Sequence, residues 1–235
     1  MPNTPGGPLV VYKLVTDGAG RGTGEFSAHA IRNEPQGHGL GFGDVNGDGR
    51  GDFILCNGWL EAPEDPLNGE WLWHPEFELD RASVPVLVAD VNGDGLPDLI
   101  VGGAHDYGLD WWEQRRDGGQ RTWIRHPIDP FNSQYHDLHW VDLDGDGCCE
   151  LVTGKRYRAH CGKDAGADDD IGVYYFKWNG ESLSKQVISY GPAGQGAGLG
   201  IHSVVTDLNG DGLPDIVAPG KDGLHVFFQE PGPAA

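Results

Sequence analysis

Apolar residues in this chain recur at every second position, in runs of about five, and glycine, aspartate or proline interrupts each run. The alternation is seen in runs such as GLGFG, VPVLVA, LHWV and SVVT, each followed by a second short apolar run, FILC, DLIVGG, LVTG or DIVAPG, and by further runs such as LDWWEQ, TWIRHPI, GVYYFKW and GLHVFFQ. Alternation over so short a length predicts half-buried β-strands joined by tight turns, with little helix. The 39 glycines and 16 prolines supply the turn chemistry. The expected class is therefore all-β.

Four segments line up as internal repeats: DVNGDGRGDFIL from Asp44, DVNGDGLPDLIV from Asp90, DLDGDGCCELVT from Asp142 and DLNGDGLPDIVA from Asp207. Their starts lie 46, 52 and 65 residues apart, as subtraction of those positions shows. That is about the length of a four-stranded propeller blade. An apolar run enters each loop and another leaves it, and two further runs complete the unit. The expectation is one β-propeller domain over residues 1–235, with four blades as the simplest count and five as the alternative. PLVVYKLV and EFSAHAI resemble the third and fourth strands of a blade. The last repeat has only three runs, so an N-terminal strand is expected to close the last blade. An arc of a larger ring, needing a partner chain or a homo-oligomer, is the remaining option.

Each loop places oxygen side chains at its first, third, fifth and ninth positions: Asp44, Asn46, Asp48 and Asp52; Asp90, Asn92, Asp94 and Asp98; Asp142, Asp144, Asp146 and Glu150; Asp207, Asn209, Asp211 and Asp215. Alternate oxygens of a glycine-rich turn converge on one point, as a hard cation requires. Up to four structural calcium ions are expected. An EF-hand is excluded, because its twelfth-position glutamate is replaced by Leu55, Val101, Thr153 or Ala218 inside a strand. The pattern resembles the FG-GAP/VCBS repeat family, and that resemblance implies a calcium-stabilised propeller without specifying an activity.

The acidic surplus, 36 Asp and Glu against 16 Lys and Arg, is concentrated in these loops. A formal charge of −20 repels phosphates, so neither nucleic acid nor an anionic membrane is an expected partner. The chain shows no apolar h-region after Met1. It reads as cytoplasmic if taken literally, and as secreted if it is a mature or excised fragment. Cys56, Cys148, Cys149 and Cys161 fit neither a disulfide framework nor paired zinc spacing.

Histidine forms a second constellation. His38, His136 and His202 stand six, six and five residues before the first aspartate of their loops, at the start of the innermost strands. His105 and His160 follow second strands, which run back to the same end. His38, His136 and His202 are the candidate ligands of a second metal, zinc or another transition metal suited to imidazole. The same end collects Asp106, Tyr107, Lys155, Arg156, Tyr157, Lys163 and Lys221. His105, Tyr107, His136, Lys155, Tyr157 and His160 are the candidate catalytic groups. His29, His74 and His126 repeat on fourth strands and are expected to be structural, and His139 is expected to pack on the other face of its strand.

The segments HGLGFGDVNGDG and AHDYGLDWWEQ resemble propellers related to aldos-2-ulose dehydratase. The expected function is a metal-assisted lyase, dehydratase or isomerase on a carbohydrate or related polyhydroxy compound. The alternative is a non-enzymatic lectin- or adhesion-like module binding a glycan or protein. The mouth residues differ from blade to blade, which favours one composite site.

Overall fold

A computed structural model describes residues 7–34, 37–80 and 82–231. The strands are β1 (Leu9–Thr16), β2 (Gly22–Arg32), β3 (Leu40–Gly43), β4 (Asp52–Leu55), β5 (Gly58–Glu61), β6 (Leu72–His74), β7 (Leu87–Ala89), β8 (Asp98–Gly102) and β9 (Leu109–Asp117). They continue as β10 (Gln120–Pro127), β11 (Tyr135–Val141), β12 (Glu150–Lys155), β13 (Ile171–Trp178), β14 (Leu183–Gly191), β15 (Val204–Thr206), β16 (Asp215–Gly220) and β17 (Gly223–Phe227). The only helical turn among the described residues is Ala159–Cys161.

The strands form four blades of antiparallel meanders arranged as a β-propeller. Strands β3 to β6, β7 to β10 and β11 to β14 make four-stranded sheets, and β15 to β17 make the fourth blade. Alternation sends one set of side chains from each sheet toward the next blade. Ile54, Trp59, Val86 and Leu99 join blades one and two. Ile100, Trp111, Leu138 and Tyr174 join blades two and three, and Val152, Val173, Ile216 and Ala218 join three and four. Each fully buried Leu, Ile or Val in these layers contributes about 1.5–3 kcal/mol.

The expected closing strand is not used in that way. β1 and β2 pair with each other as a separate two-stranded sheet, and β17 pairs only with β16. The hairpin lies beside the first blade instead. There the Arg32 guanidinium sits 3.5 Å over the Trp73 ring, a cation–π contact that fixes its base. The free face of the fourth blade keeps Val204, Leu224 and Val226 exposed.

Blades two and three are also linked through polar groups. Asp129, 5 % exposed, accepts hydrogen bonds from Lys185 at 2.6 Å, Tyr135 Oη at 2.7 Å and Asn132 Nδ2 at 2.8 Å. Burial by itself raises this carboxyl. The Lys185, Tyr135 and Asn132 bonds outweigh it and hold the group well below the usual carboxylate range. A depressed folded-state value means stability that is present above about pH 4 and lost as pH falls toward the folded value. Asp129→Asn should therefore cost about 3 kcal/mol at neutral pH, as for a broken buried ion pair. It should also flatten the loss of stability between about pH 4 and pH 2, where the ordinary carboxylate value lies. Urea melts at a series of pH values measure both; an unchanged pH slope would remove this group from the account.

Candidate functional site: a histidine cluster opposite the aspartate loops

The pairing register fixes which ends lie together. Leu40 at the start of β3 faces Leu55 at the end of β4, and Tyr135 at the start of β11 faces Lys155 at the end of β12. Starts of first strands and ends of second strands therefore share one edge of each sheet. The aspartate loops occupy the other edge.

At the first edge three blades contribute imidazoles to one point. His38 precedes β3, His105 follows β8, and His136 lies on β11. One ligand nitrogen from each lies within 4.8 Å of the other two. Their rings stand nearly perpendicular to one another, with interplanar angles of 82° to 88°. A register irregularity between Tyr135 and Leu138 frees His136 from regular pairing, and a bulge of this kind re-aims a side chain.

The neighbouring acceptors orient two of the rings. His38 Nδ1 lies 2.7 Å from the Ala82 carbonyl, to which it must donate, so its Nε2 carries the lone pair. His105 Nδ1 lies 2.9 Å from Asp164 Oδ2, a carboxylate acceptor, which again leaves Nε2 with the lone pair. The two Nε2 atoms face each other at 2.9 Å. Two lone pairs aimed at one another repel unless a proton or a cation lies between them. His136 Nδ1 is buried with no hydrogen-bond partner. Burial first, then the charge of Arg156 and the other two imidazoles, pushes His136 down to about 4, so it is neutral at pH 7. Burial likewise lowers His105.

Around this centre, Asp164 bonds His160 Nδ1 at 3.0 Å as well as His105. The His160 ring stacks on His105 with centroids 4.6 Å apart and is otherwise exposed to solvent. Arg158, His160 and Cys161 all have positive φ without being glycine, at 42°, 46° and 60°. Strain of this kind persists only where surrounding structure holds it, and here it presents His160 to the mouth. Arg156 donates to the Ala104 carbonyl at 2.7 Å and approaches His105 Nδ1 at 3.2 Å, while its Nε is buried without a partner. A separate cleft of about 460 Å³ is lined by Gly103, Asp106, Tyr107, Trp112 and Arg125, and by none of these imidazoles.

At the opposite edge the loops share one geometry. The first aspartate accepts backbone amides within its own loop: Gly47 N and Gly49 N reach Asp44 at 2.7 and 2.8 Å, and Gly93 N and Gly95 N reach Asp90 at 2.8 and 2.9 Å. In the first, second and fourth loops the ninth-position carboxylate is buried and clamps the hairpin to the third strand. Asp52 accepts Val45 N and Ala62 N, Asp98 accepts Val91 N and Gln114 N, and Asp215 accepts Leu208 N and Gln229 N. Sequence spacing alone does not reveal this clamp, because only the third strand shows where the second oxygen goes.

Residues 90–153 match the model of the FG-GAP-like repeat, which spans the second loop and its blade through the third loop. The chain is a β-propeller that carries an FG-GAP-like repeat. No curated protein matches it in sequence. Among solved structures, the V. cholerae biofilm matrix protein Bap1 is similar over 78 % of this chain at 16 % identity, with a TM-score of 0.36. The chain spans about a quarter of that structure's length, 25 %.

Within the propeller, the expected site residues divide. His105, His136 and His160 come together, joined by His38. His202 does not join them; it is exposed before β15, and its place in the triad is taken by His105. His202 stands five residues before its loop rather than six, and one residue of slip turns a strand side chain to the opposite face. Tyr107 is exposed and donates to Asp169 at 2.7 Å. Lys155 is fully buried, with Nζ 3.5 Å from the Arg156 carbonyl, and burial lowers its ammonium. Tyr157 is half-buried on the same segment, and Lys221 donates to the Arg158 carbonyl at 3.0 Å. Trp59 is buried in the core between blades.

The remaining histidines pack. His74 and His126 stack on Trp59 and Trp111, with centroids 4.2 and 4.5 Å apart, and meet Glu61 and Glu113. His29 meets Ser27 Oγ, and His139 meets Ser203 Oγ across blades three and four. Asp164 is the functional group that sequence reading missed. Its signal is the four-residue spacing from His160, which places both on one turn.

Proposed function

We propose that this FG-GAP propeller holds one transition metal on His38, His105 and His136 and acts there as a lyase on a carbohydrate or related polyhydroxy acid. The observation that carries this reading is the pair of Nε2 lone pairs converging beside the unpartnered Nδ1 of His136. Imidazole sets of this kind suit zinc, iron or copper, and outward Nδ1–H bonds to a carbonyl and a carboxylate are the usual orienting shell of metal-bound histidines. A metal here polarises a substrate carbonyl or carboxylate oxygen.

The protein's own groups supply the rest. Arg156, whose Nη2 lies 3.2 Å from His105 Nδ1, supplies the positive charge that attracts the substrate carboxylate to the centre. His160, its Nδ1–H held by Asp164, presents Nε2 to take the proton α to that carboxylate. The C–H electron pair forms the new C=C bond, the β-oxygen leaves with its bonding pair, and it accepts a proton from the newly protonated His160 or from solvent to depart as water or an alcohol. In this reading the loops at 44–52, 90–98 and 207–215 hold structural calcium at the far edge.

The test is a panel of hexuronates and aldonates, followed by the ultraviolet absorbance of the conjugated product. His160→Gln should lower turnover by about 10²–10⁴-fold, the range for a lost general base, with metal content unchanged. A metal-loaded protein that binds these sugars and turns none over would establish the binding-module alternative and overturn the lyase.

A further inference from the structure

The third loop differs from the other three in ways that fit together. Loops one, two and four carry three carboxylates each at the positions named above, with asparagine at the third position. Loop three carries four, because Asp144 replaces that asparagine and Glu150 replaces the ninth-position aspartate. Oxygens of Asp142, Asp144 and Asp146 all lie within 4.8 Å of one another.

The ninth-position group also behaves differently. In the other blades its two oxygens each accept a backbone amide, the second from Ala62, Gln114 or Gln229. Glu150 uses Oε2 for Leu143 N at 2.8 Å, but its Oε1 is buried without a hydrogen-bond partner in a residue only 1 % exposed. That oxygen is aimed into the loop.

What it faces is Lys177. The ammonium lies 2.5 Å from Asp144, 2.8 Å from Asp146 and 3.4 Å from Glu150 Oε1. The position is distinctive within the repeat. Lys177 follows Phe176, the strand partner of Leu151. One residue beyond the partners of Phe53, Leu99 and Ile216 stand Glu61, Glu113 and Phe228. The blade whose loop gained a carboxylate is thus the blade with lysine on the adjoining strand. A point charge with three donors replaces much of what a cation does for crowded carboxylates.

We infer that the third loop takes its cation from the chain itself: Lys177 occupies the space that calcium takes in the other loops, leaving a latent calcium site. The inference rests on calcium binding by the sister loops. It makes the third blade's register independent of metal while the others stay metal-dependent.

The experiment counts bound calcium by equilibrium dialysis and elemental analysis for the wild type, Lys177→Met and the double variant Lys177→Met/Asp144→Asn, which restores the asparagine of the other loops. The expected result is one more calcium per chain in each variant than in the wild type. No increment in either variant overturns the inference, whatever the wild-type number is. A wild-type count of zero would instead remove the calcium reading of the other loops. Amine labelling of the wild type needs no variant to fold: Lys177 should label equally with and without calcium. A rise in labelling on adding calcium means that the metal displaces the lysine, and the inference fails.

Discussion

Chelation is expected to lower the melting temperature by about 15–30 °C, with calcium restoring it. Each site held at about 100 times its Kd adds roughly 2.7 kcal/mol. Three separated loops add nearly independently, to about 8 kcal/mol. At this chain length each kcal/mol moves the midpoint by about 2–4 °C. The structural reason is local. Asp44 and Asp48, or Asp90 and Asp94, are brought together by backbone amides that shape the loop, and Arg50 pairs with Asp48 of the first pair. Metal removal leaves those carboxylates crowded at the turn between first and second strands, where each blade's register is set. Differential scanning fluorimetry with EDTA and calcium measures the effect, and coincident curves would end the structural role assigned to the loops.

The second large effect is expected at the histidine end. His136→Ala should reduce the retained transition metal from about one per chain to a trace, since one of three ligands is gone. Asp164→Asn should weaken binding by about 10–100-fold, the usual consequence of losing an orienting partner. His136→Ala loses no hydrogen bond at Nδ1, whereas Asp164→Asn also weakens the bonds to His105 and His160 and should lower the metal-free melting temperature slightly. If both variants keep the wild-type metal content, the imidazoles are a polar lining and not a centre.

Fold class and strand order were legible because alternation and the repeated aspartate loop are local properties. The runs LDWWEQ and TWIRHPI become β9 and β10 with the expected pairing. The fate of the N-terminal hairpin was not legible, because it depends on tertiary contacts such as Arg32 over Trp73. Of the three imidazoles read from their offset to the loops, His38 and His136 join the cluster, and His105 and His160 were expected at the same end from the second strands. His105 replaced His202 because facing depends on the parity of an offset, which an irregular strand start such as that of β11 can change. Asp164 and Lys177 stayed hidden for a common reason: each acts across a distance in sequence, on His105 and on Asp144, that no spacing rule connects.

The central claim is that two chemically distinct metal classes occupy opposite edges of the blades. Anomalous diffraction recorded on either side of the zinc, iron and copper edges, from crystals grown with calcium and trace metals, tests it most directly. The account predicts one transition-metal peak bounded by His38, His105 and His136, with only calcium-type density in the aspartate loops. No edge-dependent peak among those three imidazoles, or such a peak in an aspartate loop, would contradict it.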